Sequence, residues 1–157
     1  MSAAMSTTIA QLIDIEDIRR LKYFYAASCD DNYQPEQLAD LFTKDAIWDG
    51  GIFGVHTGQD AIRDFFANTA NLVEYAIHYV GNSIIDVNGD TAQGSWYLWQ
   101  SLVVRETQQA YWLIAKYSDD YVREDGRWKF AHVRLKVESF TRYEDGPGKI
   151  RISMDLG

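Results

Sequence analysis

The chain predicts an α+β fold: a strongly curved antiparallel sheet, closed into a cone by three N-terminal helices. Three observations carry this. Apolar residues recur at helical spacing through the first part of the chain, after which four long segments read as strands, with clear alternation in Trp128–Phe140. The breaks at Asn88-Gly89-Asp90 and Glu124-Asp125-Gly126 are hairpin turn signals. Helices followed by hairpin-linked strands make α+β, and strands this rich in apolar residues must curl around an interior.

In chain order, residues 1–8 read as a disordered lead and 9–157 as one domain. From Ile9 to about Cys29, Leu12, Ile13, Ile15, Ile18, Leu21, Tyr25 and Ala26 fall at helical spacing, with Asp14, Asp17, Arg19 and Arg20 on the other face. Asp30-Asp31-Asn32 breaks that pattern. Pro35 suits the first turn of a short helix over Glu36 to Phe42. Ala46-Ile47-Trp48 and Phe53-Gly54-Val55-His56 read as short strands around the Asp49-Gly50-Gly51 turn. Ile62, Phe65 and Phe66 share one face of a third helix, Gln59 to about Asn71. The long strands follow at Ile77–Val87, Thr91–Arg105, Ala110–Glu124 and Trp128–Phe140, with a last short one at Ile150–Met154. In Trp128–Phe140, Ala131, Val133, Leu135 and Val137 face one way, and His132, Arg134, Lys136 and Glu138 the other.

The 157 residues are 46% hydrophobic and 14% aromatic, enough for one domain with a real core. A net charge of −8 argues against nucleic acid and anionic membrane as partners, because both need a basic face. Cys29 is the only cysteine, so an intrachain disulfide is excluded. Neither a basic-then-apolar leader nor an apolar run of spanning length is present, and a cytoplasmic location is expected.

Two short stretches carry the chemistry: Tyr25-Ala26-Ala27-Ser28-Cys29-Asp30-Asp31, and Ala76-Ile77-His78-Tyr79. An Asp held against a His in an apolar setting makes a general base near neutral pH. Read from the residues alone, His78 is either that base or a core histidine bonded to backbone. Asp30 and Asp31 are either its partner or caps of the next turn. Tyr25 offers a phenol to a leaving hydroxyl or a carbonyl, or simply fills the core. Trp48, Phe53, Trp96 or Tyr97, Trp99 and Trp112 are candidate walls of a ligand cavity, with Val133 and Val137 beside them. His56, His132 and Cys29 read as structural. Metal-ligand spacing, a phosphate loop and a Ser or Cys nucleophile arrangement are all missing, so no cofactor is expected.

The segments Ile18-Arg19-Arg20-Leu21-Lys22-Tyr23-Phe24-Tyr25, Leu41-Phe42-Thr43-Lys44-Asp45-Ala46-Ile47-Trp48, Gly58 to Phe66, Ile77 to Asn82, Gly94 to Leu98 and Asp125 to Phe130 carry a resemblance. In their order the chain resembles the SnoaL-like branch of the nuclear transport factor 2 (cystatin-like) fold, over about Ile9 to Met154. It looks most like the lyases of that fold: bile acid 7-alpha-dehydratase, scytalone dehydratase and hexachlorocyclohexane dehydrochlorinase. The resemblance implies catalytic roles for Tyr25, Asp30 and His78. Asp30 is preferred to Asp31 because an extra residue fits the Asn32–Pro35 loop better than a helix. One departure stands out. Those enzymes carry a further polar or basic residue on the late strands, where this chain has Ala131, Val133, Leu135 and Val137.

The expected function is a cofactor-independent lyase or isomerase, dehydratase-like, acting on a small hydrophobic cyclic molecule such as a steroid or polyketide. The alternatives are a non-catalytic small-molecule-binding or assembly domain, and a small-subunit-like accessory of a ring-hydroxylating oxygenase. The outer face of a curved sheet is broad, so a homodimer or homotrimer is expected.

Overall fold

The computed structural model describes residues 8–153. Residues 1–7 of the expected lead, and Met154 of the expected last strand, lie outside the described residues. Thr8 already belongs to the fold. Its hydroxyl accepts from the Gln11 backbone N–H (3.2 Å), and the Gln11 side chain accepts from the Thr8 N–H (2.9 Å). This capping box starts helix α1 (Ile9–Asp30).

Helix α2 (Pro35–Asp40) has Pro35 in its first turn, as expected, but stops before Leu41 and Phe42. Phe42 instead opens strand β1 (Phe42–Asp49), opposite Phe130, and the Leu41 carbonyl accepts from the Phe130 N–H (2.9 Å). Pairing with a distant strand overrides the local helical spacing. A 3-10 turn (Gly51–Phe53) and strand β2 (Val55–Thr57) replace the single strand expected at Phe53–His56. A Cβ on Gly50 would lie 2.2 Å from the Trp48 ring, so this turn requires glycine there.

Helix α3 (Gln59–Leu72) runs directly into β3 (Val73–Asn88). The strand starts before the expected Ile77 because Val73 and Ala76 pair with Val104 and Leu102 of β4 (Thr91–Val104). Strands β5 (Ala110–Glu124) and β6 (Arg127–Arg142) and a short helical turn, α4 (Gly146–Lys149), follow. The last strand expected at Ile150–Met154 reduces to one bridge, Ile152 to Phe140. The β5–β6 hairpin turns at Asp125 and Gly126, with φ of 49° and 76°, the two left-handed residues that match strand twist.

The curved sheet is ordered β2-β1-β6-β5-β4-β3. The long strands are antiparallel neighbours, and β1 joins β6 in parallel. Cross-strand partners share a face. One inner row is His78, Gln100, Leu113 and Phe140; the next is Val80, Leu98, Ala115 and Val137. Val133 and Leu135 also face inward, opposite Asp119 and Tyr117. Ala131 and Glu138 break the expected alternation, because each is the extra residue of a bulge in β6.

Helix α1 closes the concave side. Ile18, Tyr25, Ala26 and Cys29 are buried there, whereas Leu12 and Ile13, in the turns before Asp14, stay exposed. The interior is packed with rings. Tyr25 lies edge-on to Phe42, Phe66, Tyr117 and Phe130, at centroid distances of 5.5–6.4 Å. Among the described residues no helix is long and apolar enough to cross a membrane.

An ion pair sits inside this aromatic core, where the sequence pattern gives no sign of one. Lys22 Nζ lies 2.8 Å from Asp119 Oδ2, and both side chains are 0% exposed. The ammonium also lies 3.3 Å from the Tyr117 ring centroid. Tyr121 donates to the same Asp119 oxygen (2.9 Å), and Trp96 Nε1 donates to the Tyr121 hydroxyl (2.9 Å). Burial pushes the Lys22 ammonium down and the Asp119 carboxyl up, each toward its neutral form.

Removing one partner strands the other charge. Lys22→Met and Asp119→Leu are therefore each expected to lower unfolding free energy by about 3–5 kcal/mol, while the double variant recovers most of the loss. The Asp119 carboxyl is raised in the fold, so its contribution to stability is present below its unfolded value and is lost as pH rises through its folded one. The Lys22→Met deficit should accordingly be smallest in acid and grow toward neutral pH. Urea unfolding across that range tests both expectations; additive single losses in the double variant would exclude the coupling.

Candidate active site

The end of α1 decides which of the tandem carboxylates points inward. Asp31 is the C-cap, its N–H donating to the Ala27 carbonyl (2.9 Å). Asn32 and Tyr33 then take left-handed φ values of 56° and 49°, and Gln34 N–H donates back to the Ser28 carbonyl (3.1 Å). This reversal leaves Asp31 exposed, with Gln34 Nε2 donating to its carbonyl (2.9 Å). Asp30, one residue earlier on the helix, meets β3.

One oxygen of Asp30 holds His78 twice. Oδ1 accepts from the His78 backbone N–H (2.9 Å) and lies 2.6 Å from ring Nδ1. A carboxylate oxygen already accepting one N–H takes a second donor at that distance, so Nδ1 carries the proton. The Nε2 lone pair is then the free base. The His78 side chain is 6% exposed and that of Asp30 23%. Behind them, Tyr33 packs edge-on against His78 at 6.0 Å, and Gln100 Nε2 donates to the Tyr33 hydroxyl (3.3 Å). Burial holds the Tyr33 phenol well above its ordinary range, so it remains protonated. Tyr33 and Gln100 were not singled out from the sequence. Their only signal is that Gln100 occupies an inward position of β4, a buried amide among apolar residues.

Asp30 and His78 border an open groove of about 640 Å³. Its helix wall is Tyr23, Ala26, Ala27 and Asp30. Its sheet wall is Val80 and Leu98 on the inner side, and Tyr79, Tyr97 and Trp99 on the outer side of the same strands. The groove therefore follows the free edge of β3 and is not sealed within the cone. The lining is largely apolar and aromatic, as suits a small hydrophobic ligand.

The remaining expected site residues do not line it. Tyr25 is turned into the ring-packed core, where its hydroxyl accepts from Trp48 Nε1 (3.0 Å), and burial holds its phenol protonated. Tyr33 and Phe66 stack in the space between Tyr25 and His78. Trp48 and Trp96 are core residues. Phe53 packs on Phe140, and Val133 and Val137 are covered by the same core. Trp112 lies on the outer face, stacked on Tyr143 at 4.1 Å. For the inward residues the physical reason is shared: alternation and helical phase say which residues point inward, but not which of them remain uncovered, whereas Trp112 falls on the outward phase of its strand. Of the aromatics weighed from the sequence, Tyr97 and Trp99 are the ones that reach the groove. His56 stacks on Phe65 at 4.3 Å, and His132 accepts from Arg134 (2.8 Å) on the outer face. No cluster of three or more His, Cys, Asp or Glu side chains suited to a metal occurs among the described residues.

Comparison with known proteins agrees with this architecture. Residues 10–134 match the SnoaL-like domain family. A type 2 hexachlorocyclohexane dehydrochlorinase, LinA, superposes with a TM-score of 0.78 at 25% identity, over 84% of this chain and 90% of that one. A scytalone dehydratase-like protein from Novosphingobium aromaticivorans gives 0.78 at 26% identity, over 84% and 89%. Rv2910c, an uncharacterised protein of Mycobacterium tuberculosis, is 26% identical over 140 residues, covering 86% of this chain and 92% of its own length. With the helix-closed sheet and the family match together, the chain belongs to the SnoaL-like domain family and has the nuclear transport factor 2-like fold.

Proposed function

We propose that the protein is a cofactor-independent lyase that removes a proton from carbon in a hydrophobic cyclic substrate. The observation that carries this reading is the double grip of Asp30 Oδ1 on His78, which leaves Nε2 as the base at the border of an apolar groove. The likeness to a dehydrochlorinase and a scytalone dehydratase-like protein supports an elimination.

In that reaction Nε2 takes a proton from the carbon next to an activating carbonyl or a carbon bearing the leaving group. The C–H electron pair becomes the new double bond, and the leaving group departs with its own pair. A departing hydroxide recovers the proton from the imidazolium and leaves as water; a halide leaves as the anion. Asp30 stabilises the imidazolium and holds its orientation without itself taking the proton. Tyr25 supports Trp48 in this reading and donates no proton to the leaving group. One observation favours the second reading, a binding domain without catalysis: among the described residues the groove lining holds no lysine or arginine to receive a leaving group.

We also infer self-association through the outer face. Tyr75, Tyr79, Ile84, Tyr97, Trp99 and Tyr143 are 40–71% exposed there. Together they present on the order of 600 Å², against about 800 Å² per partner in a standard interface.

Screening cyclic β-hydroxyketones and hexachlorocyclohexane for elimination supplies the assay. His78→Ala and Asp30→Asn should each lower kcat/KM by about 10²–10⁴-fold, and Tyr25→Phe by less than about 3-fold. Unchanged turnover in His78→Ala would overturn the lyase reading; a ligand bound tightly by wild type and recovered intact would favour the binding domain. In sedimentation experiments wild type should run as a dimer or trimer and Ile84→Glu as a monomer. A monomeric wild type refutes the interface.

A further inference from the structure

Two hydrogen-bonded contacts set α1 antiparallel to β3. Asp30 meets His78 at one end, and Arg19 Nε donates to Ser83 Oγ (3.2 Å) at the other. The helical rise from Arg19 to Asp30 and the strand length from His78 to Ser83 are each about 16 Å, so the two elements run in step.

The groove changes character along this span. Beside the base it is apolar, with Ala26, Ala27, Val80 and Leu98. At the far end it is polar, with the Tyr23 phenol from α1 and the Asn82 amide from β3. Tyr23 precedes Asp30 by two helical turns, on the same face and about 10 Å away. Asn82 lies about 13 Å along β3 from His78. Neither side chain has a hydrogen bond to another described residue.

Asn82 is placed there by a bulge. Gly81 pairs with Tyr97 and Ile84 with Ser95, so Asn82 and Ser83 both oppose Trp96. Asn82 has φ of 52°, in the left-handed region. A bulge of this kind re-aims a side chain, and asparagine takes the left-handed conformation it needs more readily than most residues. Trp96, the residue opposite the bulge, meets Tyr23 edge-on at 5.9 Å.

We propose that Tyr23 and Asn82 form a recognition subsite for a neutral hydroxyl or carbonyl oxygen at the far end of the substrate. The ligand it fits is a rigid polycycle carrying that oxygen roughly 10–13 Å from the carbon presented to His78. A phenol and an amide can together donate to and accept from a neutral oxygen. An anionic tail is disfavoured: Arg19, the cation at this end, is engaged by Ser83 and lies 3.9 Å from Glu16. The proposal rests on the groove being the ligand site of the reading above, but it concerns binding and not turnover.

The test is equilibrium binding, by calorimetry, of androsterone, of the analogue lacking its ring-A hydroxyl, and of its sulfate ester. Wild type should prefer androsterone to the deoxy analogue by about 10-fold. Tyr23→Phe, which keeps the ring on Trp96, and Asn82→Ala should each reduce that preference, and the double variant should abolish it. Thermal melts report whether the variants fold; Tyr23→Phe alone decides the case if Asn82→Ala does not. Equal binding of the two neutral probes by wild type, a preference surviving in the double variant, tighter binding of the sulfate ester, or no binding of any probe would overturn the subsite. Loss of the subsite leaves the elimination reading to the His78→Ala turnover assay, and failure of that assay leaves the binding preference standing.

Discussion

Lys22 and Asp119 meet at 2.8 Å with both side chains sealed from solvent, and the position of α1 follows from that contact. A buried ion pair gives poor stability for its desolvation, yet it tolerates little displacement, because losing contact leaves two uncompensated charges. Its geometry is further constrained by Tyr117 beneath the ammonium and Tyr121 on the carboxylate. On α1, Asp30 lies eight residues beyond Lys22, about 2.2 helical turns, so it is rotated by roughly 80° from Lys22 and meets β3 where Lys22 meets β5. The helix that carries one buried charge into the core thereby delivers the other carboxylate to His78.

Two aromatic populations divide the labour. Tyr25, Phe42, Trp48, Phe66, Tyr117 and Phe130 fill the closed end and are rigid by packing. Tyr23, Tyr79, Tyr97 and Trp99 line the open edge and remain accessible. An Asp–His base needs this arrangement. The packed end fixes the imidazole within reach of one carboxylate oxygen, and the open edge leaves the proposed base within reach of an apolar ligand. The outer members of the second group also belong to the face assigned to self-association, so subunit contact and access to the groove share side chains.

The legible part of the site was its chemistry. An Asp at a helix end and a His in an apolar strand are residue types with a joint use, and the family resemblance linked them across the chain. The boundaries that moved did so for tertiary reasons. Phe42 left α2 for its pairing with Phe130, and β3 began at Val73 because β4 offered partners. Tyr23 was hidden because a tyrosine facing a groove and one facing solvent have the same sequence context. Lys22 was hidden because its partner is distant in sequence and a lone lysine on an amphipathic helix ordinarily faces water.

By itself the sequence determined the helix-then-hairpin order, the inward faces of the long strands and the pair of residues able to form a base, since periodicity, turn chemistry and residue type are local properties. Only the tertiary structure decided that Asp30 and not Asp31 meets His78, that Tyr25 belongs to the core, and where the groove opens. Each of these depends on the angle at which a helix ends, on bulges that shift a strand by one residue, and on which inward side chains another element covers. Those are properties of distant segments brought together, and no local pattern encodes them.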